Sequence, residues 1–209
     1  MASTKPRYHH GDLREELLRA SLQLIETEGL AAVSLRRVAR EAGVSPGAPY
    51  HHFTDRAALL AALSTRGFEL LREELIAARD RATTPLDGLA TLADAYARFA
   101  REQPSYFRLM FRPELSQPEK HPDTTAAGEA TFAVLSEAVA AAVESGDLRA
   151  ADAQLLAMTW WSLAHGLASL SVDGKLPERA KMLGTTVPEL TDRITRLFAE
   201  LVDSTRSRD

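Results

Sequence analysis

Ser34-Leu-Arg-Arg-Val-Ala-Arg-Glu-Ala-Gly43-Val-Ser-Pro-Gly47-Ala-Pro-Tyr50-His-His-Phe53-Thr-Asp-Arg56 is the stretch on which the fold turns. Ser34 is a side-chain acceptor placed before a short apolar-periodic run, where it can cap the orphan amides of a helix. Gly43 ends that run at a position where a side chain would penalise the turn. Ser45 with Pro46 then restarts a helix at once, Ser45 as cap and Pro46 in the first helical position. Val38, Ala39, Val44 and Phe53 are apolar where the two short helices must meet, and Ala42 is small enough for close approach. Helix, three-residue turn, helix is the spacing of a helix-turn-helix.

The outer face of the same stretch carries the candidate chemistry. Ser45, Pro46, Gly47, Ala48 and Tyr50 fall in or near the first turn of the second helix, the end that enters a major groove in such motifs. Their small size implies close backbone approach, with apolar contact to thymine methyls open to Ala48. Arg36, Arg37 and Arg40, with Arg56 at the next helix start, are placed to neutralise phosphates, and Tyr50 and His51 to add hydrogen bonds to the DNA backbone. The competing reading of any one of these residues is a solvated arginine or a packed tyrosine.

As a set, from about residue 10 to residue 60, the chain resembles the DNA-binding signature of the TetR family. That signature is a Ser/Thr-capped helix, an Ala-Gly-Val-Ser turn and a Gly-x-x-Tyr-x-x-Phe reading helix followed by an acidic-basic pair. The resemblance implies an all-α, two-domain regulator. A three-helix head, about residues 1–56, would bind double-stranded operator DNA arranged as an inverted repeat. A helical body, about residues 57–209, would bind a small-molecule effector and form a homodimer through its last two helices. It also implies a repressor released by its ligand. Pro49 departs from the pattern, which commonly has an aliphatic residue there. As the fourth helical residue it would lack the amide of the first intrahelical bond, so some distortion is expected.

Beyond the head, helical periodicity continues and gives about nine helices in all. Asp12 caps the first, which ends at Glu28-Gly29. Asp55 caps a long helix to about Arg81, Pro85 opens another to about Arg101, and Ser105 to Phe111 form a short aromatic one. Three more are expected near residues 123–145, 149–173 and 187–205, with Asp173 to Thr186 read as a connector. Within the body, Trp160-Trp-Ser-Leu-Ala-His165-Gly166 places Trp161 and His165 on one helix face. This resembles the Trp-His-Gly pattern of one TetR C-terminal subtype. His165 would then be the polar handle of an apolar pocket whose candidate walls are Tyr96, Phe99, Phe107, Met110, Phe111, Met158 and Trp161, suiting an apolar or mixed effector. The same aromatics also fit a plain core, with His165 a satisfied buried histidine.

Composition narrows the field. Of the 209 residues 45% are apolar and 26% charged, with a net charge of -4, the profile of an ordinary globular chain. Residues 1–56 hold eight Lys/Arg against seven Asp/Glu, so the acidity lies in the remainder. No uninterrupted apolar run approaches the roughly 18 residues of a membrane span, and a cytoplasmic protein without membrane contact is expected. The absence of cysteine excludes thiolate chemistry. His9-His10 and His51-His52 are adjacent pairs that point about 100° apart on a helix, so no metal site is expected. Lys5-Pro-Arg7 with the first pair reads as an arm near DNA. Gly43-Val-Ser-Pro-Gly47 also spells a serine-hydrolase elbow, but Pro46 lacks the amide that an oxyanion hole needs there and the segment before it is helical. No catalytic residue and no cofactor are therefore expected. The remaining alternative is a helical small-molecule-binding protein without operator binding.

Overall fold

The computed structural model describes residues 10–115, 117, 119–148 and 152–204. Among them are nine α-helices and no strand: α1 His10–Glu28, α2 Leu35–Glu41, α3 Arg56–Arg79, α4 Pro85–Glu102, α5 Pro104–Met110, α6 Pro122–Glu144, α7 Ala153–Val172, α8 Lys175–Met182 and α9 Val187–Ser204. Short 3₁₀ helices cover Leu30–Ala32, Ala48–His51 and Pro113–Leu115. Backbone contacts divide the chain into a head unit, residues 1–66 with 108–125, and a body unit, residues 67–107 with 126–209.

The head closes around the apolar face of α1. Leu17, Leu18, Ala20 and Leu24 recur at helical spacing and are buried, as are Val38 and Ala39 of α2, Phe53, and Leu59, Leu60 and Leu63 of α3. Ser21 lies in this core without penalty because its hydroxyl donates to the Leu17 carbonyl at 2.7 Å. α1 begins two residues before Asp12, so Asp12 is not its first cap, and the arm at Lys5, Arg7 and His9 lies outside the described residues. Asp55 does cap α3, accepting from the Ala58 amide at 2.8 Å. Residues 108–125 belong with the head through Thr124, whose hydroxyl lies 3.0 Å from that of Thr65 and donates to the Ala61 carbonyl at 3.1 Å.

The body is organised by α4, which packs chiefly on α7 and α9. Thr84 opens α4 by accepting from the Asp87 amide, and Asp87 answers by accepting from the Thr83 amide, each at 3.1 Å. Pro85 occupies the first turn, where its missing amide is not needed. Leu89, Leu92, Ala93, Tyr96, Ala97, Phe99 and Ala100 form the buried face of α4, and its alanines allow the neighbouring helices close approach. α6 and α7 are long and apolar enough, by length and composition, to cross a membrane. Part of that apolar surface is core: Val134, Ala138, Val139 and Ala142 of α6 and Ala157, Trp160, Ala164, Leu167 and Ala168 of α7 are buried.

One helix departs from expectation. The stretch from Asp173 to Thr186 is not a plain connector, because α8 lies within it, entered at Gly174 (φ 75°) and left at Gly184 (φ 65°). Leu176 and Ala180, four apart, bury against Leu167 of α7 and Leu190 of α9. Pro177 is tolerated because it falls in the first turn.

Candidate functional site

The reading head is built from local signals. Ser34 Oγ accepts from the Arg37 amide at 3.2 Å and opens α2. At the other end Gly43 takes φ 67°, which lets the Val44 amide reach the Ala39 carbonyl at 2.9 Å and the Gly43 amide the Arg40 carbonyl at 3.2 Å. This pair of bonds is the Schellman closure of a helix. The preceding element is thus a helix and not the strand that a hydrolase elbow requires.

The segment after this turn corrects the sequence expectation. Ser45 makes no side-chain cap bond in front of the next helix, and that helix is 3₁₀, not α. The Ala48 amide donates to the Ser45 carbonyl at 3.0 Å, Tyr50 to Gly47 at 3.2 Å and His52 to Pro49 at 3.0 Å. Only the Phe53 amide, bonded to the Pro49 carbonyl at 2.9 Å, reaches four residues back. An α-helix starting here would bond the amide of residue 49 to the Ser45 carbonyl. Pro49 has no amide, so that carbonyl is taken by Ala48.

Ser34, Ser45, Pro46, Gly47, Tyr50 and His51 are exposed, Tyr50 by 54%, while Ala48 is half-buried and Pro49 buried. The four arginines separate into two kinds. Arg36 and Arg40 are exposed and make no ion pair among the described residues. Arg37 pairs with Glu28. Arg56 donates from Nε to the Val33 carbonyl and from Nη2 to the Leu30 carbonyl, both at 2.8 Å, tying the start of α3 to the turn before α2. Sequence gives no sign of this tether, since its partners lie more than twenty residues away. Among the described residues no three His, Asp or Glu side chains gather as metal ligands would.

In the body, Tyr96, Phe107, Trp161 and His165 converge. The Tyr96 hydroxyl lies 2.9 Å from His165 Nδ1, the donor being set by the histidine tautomer. Burial holds the imidazole below its usual range and pushes the phenol above its own. The His165 ring centre is 5.3 Å from that of Phe107 and 5.5 Å from that of Trp161. Phe132 of α6, which sequence did not single out, adds an edge-on contact to Trp161 at 6.3 Å. Phe99 is core on α4, Met158 is exposed on α7, and Met110 and Phe111 belong to the head unit's segment.

A capped helix, a glycine-closed turn and an exposed reading segment, carried with an all-helical body, define a helix-turn-helix DNA-binding transcriptional regulator. Residues 17–63 match the model for bacterial regulatory proteins of the tetR family, and residues 89–203 match that for the tetracyclin repressor-like C-terminal domain. The chain belongs to the TetR family. The body match carries the tetracyclin repressor-like description, which does not itself show the Trp-His-Gly subtype expected from Trp161, His165 and Gly166. The HTH-type transcriptional regulator BetI of Rhizobium meliloti (strain 1021) is 35% identical over 79 residues, 38% of this chain. The match spans only 39% of that relative's length. A solved protein of unknown function from Rhodococcus sp. RHA1 is 33% identical, with a TM-score of 0.80 over 95% of this chain and 99% of its own. The transcriptional regulator FadR of Bacillus subtilis, solved in complex with stearoyl-CoA, shares the fold at 14% identity, with a TM-score of 0.70 over 88% of this chain and 97% of its own.

Proposed function

We propose that this regulator is a cytoplasmic homodimer that binds an inverted-repeat operator through its heads and leaves it when a small apolar or mixed-character molecule enters the body. DNA-reading elements lie within residues 1–56, and effector and dimer elements within 57–209. The reading rests on one observation above others: an exposed edge of Ser45, Pro46, Gly47, Tyr50 and His51 shares a head with two exposed cations, Arg36 and Arg40. Arg37 and Arg56 spend donors inside the head, so phosphate contact is assigned first to Arg36 and Arg40. Replacing either with alanine is expected to weaken specific and random duplexes alike and to lower the salt slope by about one per contact. Titrations across ionic strength test this. An unchanged slope with losses confined to one sequence would overturn the assignment, and absence of salt-dependent duplex binding would favour the ligand-binding protein without an operator.

The effector site in this reading is the Tyr96–Trp161–His165 cluster, where aromatic rings on α4 and α7 surround one polar pair, the Tyr96 hydroxyl and His165 Nδ1. FadR of Bacillus subtilis, of the same fold and solved in complex with stearoyl-CoA, supports this use of the fold. α3 supplies the link, since one unbroken helix of about 36 Å starts in the head unit and ends in the body unit. Linkage makes the coupling reciprocal, so a compound that releases DNA must lose affinity by the same factor, about 5- to 150-fold, when operator is bound. Compounds found by quenching of tryptophan fluorescence provide the probes, and calorimetry with and without operator the measurement. Trp161→Ala is expected to abolish their binding and leave duplex affinity within about twofold. Equal affinity in the two titrations would mean that the cluster binds without signalling.

A further inference from the structure

We propose that Pro49 sets operator preference by holding Ala48–His51 in a 3₁₀ turn, which presents Tyr50 and His51 as the pair that reads base edges. The inference rests on the head being the DNA-reading unit. In an α-helix successive side chains are 100° apart, so Gly47, Tyr50 and His51 would share one broad face. In a 3₁₀ helix residues three apart eclipse each other. The segment therefore has three columns: Gly47 with Tyr50, Ala48 with His51, and Pro49 with His52.

Burial assigns these columns. Pro49 is buried and His52 half-buried, so the third column faces the head, where the Pro49 carbonyl accepts from both the His52 and Phe53 amides. The other two columns each begin with a small residue, Gly47 exposed and Ala48 half-buried, and end with an exposed large polar one. Gly47 and Ala48 leave room for a groove wall to approach. Tyr50 and His51 then project past them, each exposed and each able to donate to acceptors on base edges, such as purine N7, guanine O6 and thymine O4. Rise also differs, at about 2.0 Å per residue against 1.5 Å, so four residues in this form are about 2 Å longer than in an α-helix. An aliphatic residue at 49 would restore the amide that the Ser45 carbonyl needs for the α form, and with it a different reading edge.

Selection from a random duplex library tests the assignment, with the full-length protein, Pro49→Leu, Tyr50→Phe and His51→Ala run in parallel. Pro49→Leu is expected to enrich a half-site differing at one or more positions and to bind the original half-site about tenfold more weakly, its affinity for a random duplex staying within about twofold. His51→Ala, at an exposed position that leaves the fold intact, is expected to lose preference at a position that Pro49→Leu also changes. Equal weakening of both duplexes by Pro49→Leu would make Pro49 a structural residue only and overturn the proposal. So would enrichment of the original half-site by both Pro49→Leu and His51→Ala. If Pro49→Leu does not fold, Tyr50→Phe and His51→Ala decide, and an unchanged half-site from both sinks the idea. Failure of the unaltered protein to enrich any half-site would remove the DNA reading itself, a separate outcome.

Discussion

Replacing Trp160 with alanine is expected to destabilise the body by about 3–5 kcal/mol, the cost of emptying a fully packed tryptophan site. Trp160 is 1% exposed and stands edge-on against Phe198, their ring centres 4.9 Å apart at 84°. It is therefore a main tie between α7 and α9. Its indole nitrogen is buried with no hydrogen-bond partner, a penalty that the folded chain already carries. Trp160→Phe removes the orphan donor along with part of the volume, so it should cost clearly less than a cavity of that size implies. Trp161→Ala should also cost less, because Trp161 is only half-buried. Urea unfolding at one fixed protein concentration measures all three. A loss for Trp160→Ala no larger than for Trp161→Ala would show that α9 is held by other contacts.

The two adjacent tryptophans show what sequence can and cannot resolve. Helical spacing aligns Trp161 with His165, four residues on, and the structure brings their rings together. That spacing says nothing about Tyr96, 69 residues before His165, or about Phe132, because helix packing and not local order puts them there. Ser34 and Asp55 were legible as caps since a cap acts within three residues of itself. α8 was hidden by the scarcity of its signal, two buried apolar residues in a charged stretch that includes a proline. Pro49 announced a distortion without its form, which depends on which carbonyl takes the vacant bond. Arg56 has a structural use that stayed hidden for a related reason. A basic residue beside a reading segment suggests phosphate, whereas its acceptors, the Leu30 and Val33 carbonyls, are visible only once the turn before α2 is folded.

Leu155→Glu combined with Leu197→Glu is expected to give a folded monomer whose affinity for a full operator falls by about 10²–10⁴, the advantage that linking two binding modules confers. Leu155 of α7 is 65% exposed and Leu197 of α9 is 55% exposed, and Met158 and Leu170 of α7 are exposed as well. Large apolar side chains gathered on two body helices are costly to leave in water, and a second copy of the same helices would cover them. Gly166 fits that use, because a side chain added there would meet nothing within 4 Å, leaving the α7 backbone open to close approach. Both substitutions are far in sequence from the head, so binding to a duplex with a single half-site should change by less than about threefold. Sedimentation gives the oligomeric state, and titrations on one-site and two-site duplexes separate loss of linkage from loss of recognition. A variant that stays dimeric with unchanged operator affinity would place the interface elsewhere. A monomer that still binds the full operator as tightly as the parent would mean that one head alone supplies the recognition.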